Sequence, residues 1–117
     1  MKIKNITYPT ALEKIPDLFN DNIDVFVETE DGMLFTMTIC TPMFYLHYME
    51  KENLNFVPAS PPDIIVKELT QNNIKEALES FCEDEGYWMK LYFLSGASEG
   101  IFSKDKLDEM IQNINKR

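Results

Sequence analysis

The residues best suited to chemistry stand together in the stretch FCEDEGYW, from Phe81 to Trp88, where a thiol precedes three carboxylates. Thiolates and carboxylates are metal ligands, so a metal site is the first interpretation to consider. Zinc takes about four convergent Cys or His ligands, whereas this chain holds one His and two separated Cys. A calcium loop needs acids at alternating positions and a closing Glu, which neither CEDEG nor ETEDG supplies. We therefore expect no metal and no other cofactor.

The chain offers few groups for catalysis. His47 is its single histidine, the residue type that most often serves as a general base. The available nucleophiles are Cys40, Cys82 and the serines, and none of them lies in a recognised nucleophile motif. The glycine-rich sequences that bind phosphate are also missing. We predict no catalytic residue and no enzymatic activity, while hydrolysis by paired carboxylates stays open because carboxylate separation depends on the fold.

Composition is typical of a small intracellular domain. The 117 residues, 44% of them apolar, predict a single globular domain over residues 1–117. Apolar runs fall far short of the roughly 20 residues that cross a bilayer, and MKIKNITYP lacks the apolar segment of a secretory signal. Cys40 and Cys82 have no metal-binding spacing and are expected to be reduced and buried. We predict a cytoplasmic protein that does not contact a membrane.

The distribution of charge indicates the kind of partner. The formal net charge is −9, and no Lys or Arg lies between Ile15 and Glu50. A second acidic window runs from Glu76 to Met89, and the single arginine is Arg117. Without an arginine in the folded body, direct nucleic-acid binding is not expected. An acidic field suits a cationic partner, and it equally suits plain solubility.

A β-hairpin is the clearest predicted element. Asn22–Thr29 alternates apolar and polar residues, as a half-buried strand does, and Met33–Cys40 is its partner. A two-residue turn at Asp31 and Gly32 would mix the faces, whereas a three-residue loop with Gly32 left-handed gives one apolar face. The predicted pairs are Val27 with Phe35, Val25 with Met37, and Ile23 with Ile39. The opposite face then carries Asp24, Phe26, Glu28, Leu34, Thr36 and Thr38.

Two helices are predicted in the middle of the chain. Thr41 is placed as the cap of the first, which begins at Pro42. The second begins after Asn72 or Asn73 and ends at a left-handed Gly86. Its apolar stripe consists of Ile74, Ala77, Leu78, Phe81 and Cys82.

Strands and a last helix complete the order of elements. Strands are predicted at Ile64–Leu69 and Tyr87–Leu94, and a loop at Ser95–Gly100. A C-terminal helix is predicted over residues 103–117, with Ser103 as its cap. Residues 1–21 are an N-terminal segment that the pattern does not assign. The order predicts an α+β fold, a mixed α/β arrangement with a mixed sheet of about four strands that includes the hairpin and has helices packed on it.

The acids are the candidates for partner binding. Glu83, Asp84 and Glu85 are predicted in the last turn of a helix, where each negative charge is unfavourable by roughly 0.3–1 kcal/mol. A charge at a position where it destabilises the fold, with no compensating contact, indicates a functional residue. Tyr87 or Trp88 would supply an aromatic anchor, although Trp88 fits the core equally well. The predicted partner-binding residues are Asp24, Glu28, Glu30, Asp31, Glu83, Asp84, Glu85 and Tyr87.

The sequence also resembles a known class of proteins. The blocks VETEDGMLFTMTICTPMFYL and NFVPASPPDIIVKELTQNNIKEALESFCEDEGYWMKLYF, within Ile23 to Phe93, are similar to immunity proteins carried beside polymorphic bacterial toxins, including those of contact-dependent growth inhibition. The resemblance implies a cytoplasmic protein that binds a cognate toxin domain, often a basic nuclease, and blocks its active site. It carries over no catalytic residue.

Three functional hypotheses follow. The leading one is a non-enzymatic immunity protein, a monomer or weak dimer when free, that occludes the C-terminal domain of a cationic toxin with its acids. The alternative is an acidic secretion chaperone that holds an effector segment unfolded and is itself a stable homodimer. The third is an enzyme that uses His47 or paired carboxylates, which would have to converge in a concave pocket.

Overall fold

The computed structural model describes residues 1–58, 63–97 and 103–116. In chain order the elements are β1 (Ile3–Thr7), a 3-10 turn (Leu12–Lys14), β2 (Asn22–Thr29), β3 (Leu34–Cys40), α1 (Pro42–Lys51), β4 (Ile64–Ile65), α2 (Gln71–Phe81), α3 (Glu83–Ala97) and α4 (Lys104–Asn115). The strands pair in the order β1-β2-β3-β4, with β3 and β4 parallel and the other pairs antiparallel. The fold is α+β with a four-stranded mixed sheet, as the sequence predicts.

The hairpin of β2 and β3 has the predicted register. Val27 pairs with Phe35, Val25 with Met37, and Ile23 with Ile39. The loop holds three residues, because the Thr29 N–H donates to the Met33 carbonyl at 3.0 Å. Gly32 has a φ of 87°, the left-handed conformation that this loop requires.

The sheet has the predicted number of strands, but β1 takes the place of the predicted strand Tyr87–Leu94. Residues 3–7, which the pattern left unassigned, form β1 and pair antiparallel with β2. The predicted strand Ile64–Leu69 is limited to Ile64–Ile65. After it, the Val66 N–H still donates to the Cys40 carbonyl at 2.9 Å. Val66 and Leu69 are both buried, so the apolar pattern indicated burial rather than a long strand.

The predicted strand Tyr87–Leu94 is wrong, since these residues lie in α3. A short run that is apolar at nearly every position does not distinguish a buried strand from a helix. The left-handed Gly86, expected to end a helix, instead lies inside a kink from which the chain continues as a helix. The predicted loop at Ser95–Gly100 is also displaced, because α3 continues to Ala97 and the rest of that loop lies outside the described residues.

The caps of the other helices agree with the sequence in two of three cases. Thr41 caps α1 and Ser103 caps α4, each by accepting a backbone N–H at the start of its helix. The cap of α2 is Thr70 rather than Asn72 or Asn73, with the Asn73 N–H donating to its hydroxyl at 3.1 Å. The N-cap hydroxyl thus satisfies one of the free N–H groups of the first turn.

The core lies between one face of the sheet and the helices α2 and α3. Val25 and Met37 of the hairpin are fully buried, and so are Leu78 of α2 and Met89 of α3. All four belong to one apolar cluster. The other face of β2 and β3, the outer face, faces solvent in the described part of the chain.

Replacing Met89 and Tyr87 by Ala tests the reassignment of α3. In a strand these two residues would share a face, but the helix buries Met89 completely and leaves Tyr87 55% exposed. We expect Met89→Ala to lower the free energy of unfolding by about 2–5 kcal/mol and Tyr87→Ala to change it by about 0.5 kcal/mol or less. Urea denaturation measures both values, and similar losses for the two variants would contradict the helix.

Candidate partner-binding surface

The predicted site residues occupy three places in the fold. Asp24 and Glu28 lie on the outer face of β2, Glu30 and Asp31 lie in the hairpin loop, and Glu83–Glu85 lie at the kink before the helical part of α3. Each group is largely exposed, and Glu28 is half-buried.

On the outer face, apolar side chains lie among the acids. Phe26 is 46% exposed and Leu34 is 70% exposed. Phe26 pairs across the hairpin with Thr36, and Glu28 pairs with Leu34. Phe26 and Leu34 are therefore diagonal neighbours, roughly 7–8 Å apart between backbones and within reach of each other's side chains. Every one of these residues projects outward because the inner face takes the alternate positions.

The acids of this face make only weak contacts with other groups. Asp24 accepts a hydrogen bond at 2.9 Å from the hydroxyl of Thr38, its cross-strand neighbour. The Nζ of Lys4 lies 3.9 Å from Glu28 Oε2, at the long limit of an ion pair between two accessible side chains. Such pairs contribute little to stability. Both carboxylates therefore remain available to a partner.

The hairpin loop orients Asp31 and leaves Glu30 free to project. Asp31 accepts hydrogen bonds from the Thr29 hydroxyl and, at 3.4 Å, from the Met33 N–H. The bond from Thr29 is the main reason that the pKa of the Asp31 carboxyl is lowered, so this group is ionised at neutral pH. The Glu30 N–H donates to the Lys2 carbonyl at 2.9 Å, which ties the loop to the start of β1.

The kink places three successive residues in the left-handed region. The φ values are 51° for Asp84, 58° for Glu85 and 79° for Gly86. A left-handed residue with a side chain costs roughly 1–2 kcal/mol, so this short segment is strained. The Gly86 N–H donates to the Cys82 carbonyl at 3.0 Å and holds the bend.

The predicted position of these acids in the last turn of a helix is wrong. Helix α2 ends at Phe81, and Asp84 and Glu85 have left-handed backbone between α2 and the helical part of α3. The unusual feature of the segment is its backbone conformation.

Contacts through the N-terminal strand bring the loop and the kink to one end of the molecule. The side chain of Met1 lies so close to Gly86 that a Cβ built there would meet its Sδ at 2.6 Å. The next residue, Lys2, bonds to Glu30. Asp24 is separated from this end, because it lies four residues before Glu28 in a strand that rises about 3.3 Å per residue. The predicted site residues thus form one cluster at the hairpin loop and the kink, and Asp24 lies outside that cluster.

The aromatic candidate is exposed, and so is its neighbour. Tyr87 and Trp88 pack edge to face, with ring centroids 5.4 Å apart, and both are more than half exposed. The alternative that placed Trp88 in the core is wrong. Both rings follow the kink directly, so the acids of the kink adjoin an aromatic pair.

Sequence reasoning missed a groove between the start of β3 and α3. It encloses about 440 Å³ and, apart from Lys90, its lining is apolar. Two of the lining residues, Phe35 and Phe93, pack edge to face with ring centroids 5.6 Å apart. The groove was hidden because residues 87–94 were assigned to a strand, in which alternate side chains would project to opposite faces. The lining residues are Met33, Leu34, Phe35, Lys90, Phe93 and Leu94.

Of the groups considered for catalysis, Cys40 and His47 lie apart from this surface, whereas Cys82 directly precedes the kink and is buried. Both cysteines are free and buried, as predicted. The thiol of Cys40 donates to Asp63 Oδ2 at 3.5 Å, and the Tyr45 hydroxyl donates to the same oxygen at 2.9 Å. His47 is exposed on α1, and its Nδ1 lies 2.6 Å from the side-chain Nδ2 of Asn20. Among the described residues, no three His, Cys, Asp or Glu side chains are arranged to hold a metal ion.

Comparison with protein-family models, with curated proteins and with solved structures gave no match to this chain. Within residues 1–58, 63–97 and 103–116, no helix combines the length and the apolar character needed to cross a membrane.

The reactivity of Cys40 tests the buried cluster with Asp63 and Tyr45. Burial is the largest cause that raises the pKa of the Cys40 thiol from 9.0 to about 11. Because the thiolate is the reactive form, iodoacetamide at pH 8 should alkylate Cys40 at least about a hundredfold more slowly in the folded protein than in urea. The free energy of unfolding should also fall as the pH rises from about 9 to about 11, since the unfolded chain loses the proton first. Mass spectrometry of the modified peptide measures the rate, and equal rates in both states would contradict the cluster.

Proposed function

We propose that this chain is a non-enzymatic immunity protein that binds a cognate toxin domain, a cationic nuclease, and occludes its active site. The observation that carries the proposal is the joint exposure of Phe26 and Leu34 between acids on the outer face of the hairpin. Apolar anchors within a polar rim are the anatomy of a protein-binding surface.

Exposed apolar side chains support binding to a protein. A soluble domain seldom leaves large apolar groups clustered in contact with water unless they serve as an interface. On this chain Phe26, Leu34 and Phe93 are all exposed around the hairpin and α3, and Tyr87 and Trp88 continue the exposure beside the kink. Their burial against a partner would supply affinity that charge alone does not.

Charge supports a cationic partner. The segment from Ile15 to Glu50 holds both strands of the hairpin and contains no Lys or Arg. A nuclease presents a cationic groove to its substrate, so an acidic surface competes for that groove and speeds association at low salt. The resemblance to toxin immunity proteins agrees with this interpretation.

The secretion chaperone is the second candidate, and α4 is the observation that favours it. The apolar stripe Leu107, Met110, Ile111 and Ile114 is exposed along the whole helix. An amphipathic helix without a covered face suits either a second copy of the chain or a bound segment. Light scattering separates the candidates, because the chaperone should be a stable dimer and the immunity protein a monomer or weak dimer.

Charge reversal on the hairpin tests the proposal. Glu28→Lys with Glu30→Lys should slow association with the toxin encoded by the adjacent reading frame by about tenfold at low salt, because the attractive field is reversed. Stopped-flow measurements over a range of salt concentrations give the rates. The matched control is Glu13→Lys with Glu76→Lys, which changes the net charge equally at exposed positions elsewhere.

A second arm of the same experiment addresses the kink. Glu83→Gln, Asp84→Asn and Glu85→Gln remove the charges, and Asn is chosen because it tolerates the left-handed backbone of Asp84. Protection of cells from the toxin should weaken in both arms. If the control pair slows association with the toxin equally, only the net charge of the protein affects binding. If no complex forms even at low salt, the proposed function is refuted.

A further inference from the structure

We infer that the groove between β3 and α3 receives an apolar side chain from a cationic segment of the partner. This inference rests on the proposed function and adds to it a contact between apolar side chains that does not depend on charge. The occupant is a stretch of chain in which an aliphatic or aromatic residue lies beside lysines or arginines.

The groove is open and apolar in the described part of the chain. Among its lining residues, Leu34 is 70% exposed, and Met33 and Phe93 are close to half exposed. A volume of about 440 Å³ lies in the range of small-ligand sites, which begins at roughly 300 Å³. It therefore accommodates one or two side chains of a partner but not a folded element.

The rim explains why the occupant is cationic. Glu28 is the cross-strand neighbour of Leu34, and Asp31 accepts a hydrogen bond from the Met33 N–H. Both acids thus adjoin residues that line the groove, and Glu30 lies between them in sequence. Lys90 also lines the groove, and its positive charge helps to lower the pKa of the Asp31 carboxyl. Lys90 is exposed, and the aliphatic stem of an exposed lysine can cover apolar surface while the ammonium group stays in solvent.

The groove is held in shape by contacts on both sides. The Thr38 N–H on β3 donates to the Tyr92 hydroxyl on α3 at 2.9 Å. The Phe35 ring meets the Phe93 ring edge to face, and Met89 anchors α3 in the core. A preformed site costs less to bind, because fewer side chains have to be ordered on association.

The groove and the acids have different effects on binding. Charges on the rim act at a distance, so they govern the association rate and its dependence on salt. An apolar contact acts only after docking, so the groove governs the dissociation rate. Variants of the two parts should therefore differ in the rate constant that they change.

Two synthetic peptides of equal length and charge test the inference without the toxin. In one, lysine alternates with leucine, and in the other, lysine alternates with serine. At physiological salt the lysine–leucine peptide should bind about tenfold more tightly, as measured by fluorescence anisotropy, because one apolar side chain leaves water. Leu34→Ser and Phe93→Ser should each remove most of that advantage.

Leu46→Ser is the matched control, since Leu46 is an exposed leucine on α1, outside the groove. It should leave the tenfold preference unchanged. Leu34→Ser is the decisive variant, because an exposed side chain can be changed without loss of the fold, which urea denaturation checks.

The outcomes separate this inference from the proposed function. If both peptides bind equally well, or if Leu34→Ser keeps the preference, the groove inference fails while binding by charge survives. If neither peptide nor the neighbouring toxin binds, the proposed function itself fails. If the free protein is a dimer that Leu34→Ser dissociates, a second copy is the occupant and the inference is overturned.

Discussion

The register of the hairpin determines which residues enter the core and which face solvent. A three-residue loop with Gly32 left-handed sets Val25 opposite Met37 and sends both into the core. A slip of one residue would expose that apolar row and bury Asp24 and Glu28 without partners, at a cost far above the stability of a small domain. The buried row in turn provides the surface on which α2 and α3 pack.

The same alternation creates the candidate surface. Once the inner positions are committed to the core, the outer positions carry Phe26 and Leu34 among acids, and the described part of the chain leaves them exposed. Helix α3 then adds the Phe93 side of the groove, because Tyr92 and Phe35 hold it against β3. The pairing of β2 with β3 thus determines both the core and the candidate interface. The proposed anchor sites lie where β3 meets α3.

Sequence reasoning predicted the elements whose signals are local. The alternating pattern and Gly32 predicted the hairpin and its register, and Thr41 and Ser103 predicted the starts of two helices as N-caps. It failed where the outcome depends on distant packing. The uniformly apolar run after Gly86 fits a strand or a helix equally well, and residues 3–7 become a strand only because β2 offers them an edge. Seven of the eight predicted site residues lie beside the groove or at the kink and its aromatic pair, and only Asp24 lies apart, whereas the groove itself was not predicted.

Hydrogen exchange of this protein, with and without the toxin of the adjacent reading frame, tests whether the hairpin and α3 form the binding surface. We expect new protection in the amides of β2, the hairpin loop and the start of β3, from Phe26 to Leu34, and in α3 around Phe93. Exchange in α1 should be unchanged. Protection confined to α1 or to α4, with the hairpin and α3 unaffected, would contradict this expectation.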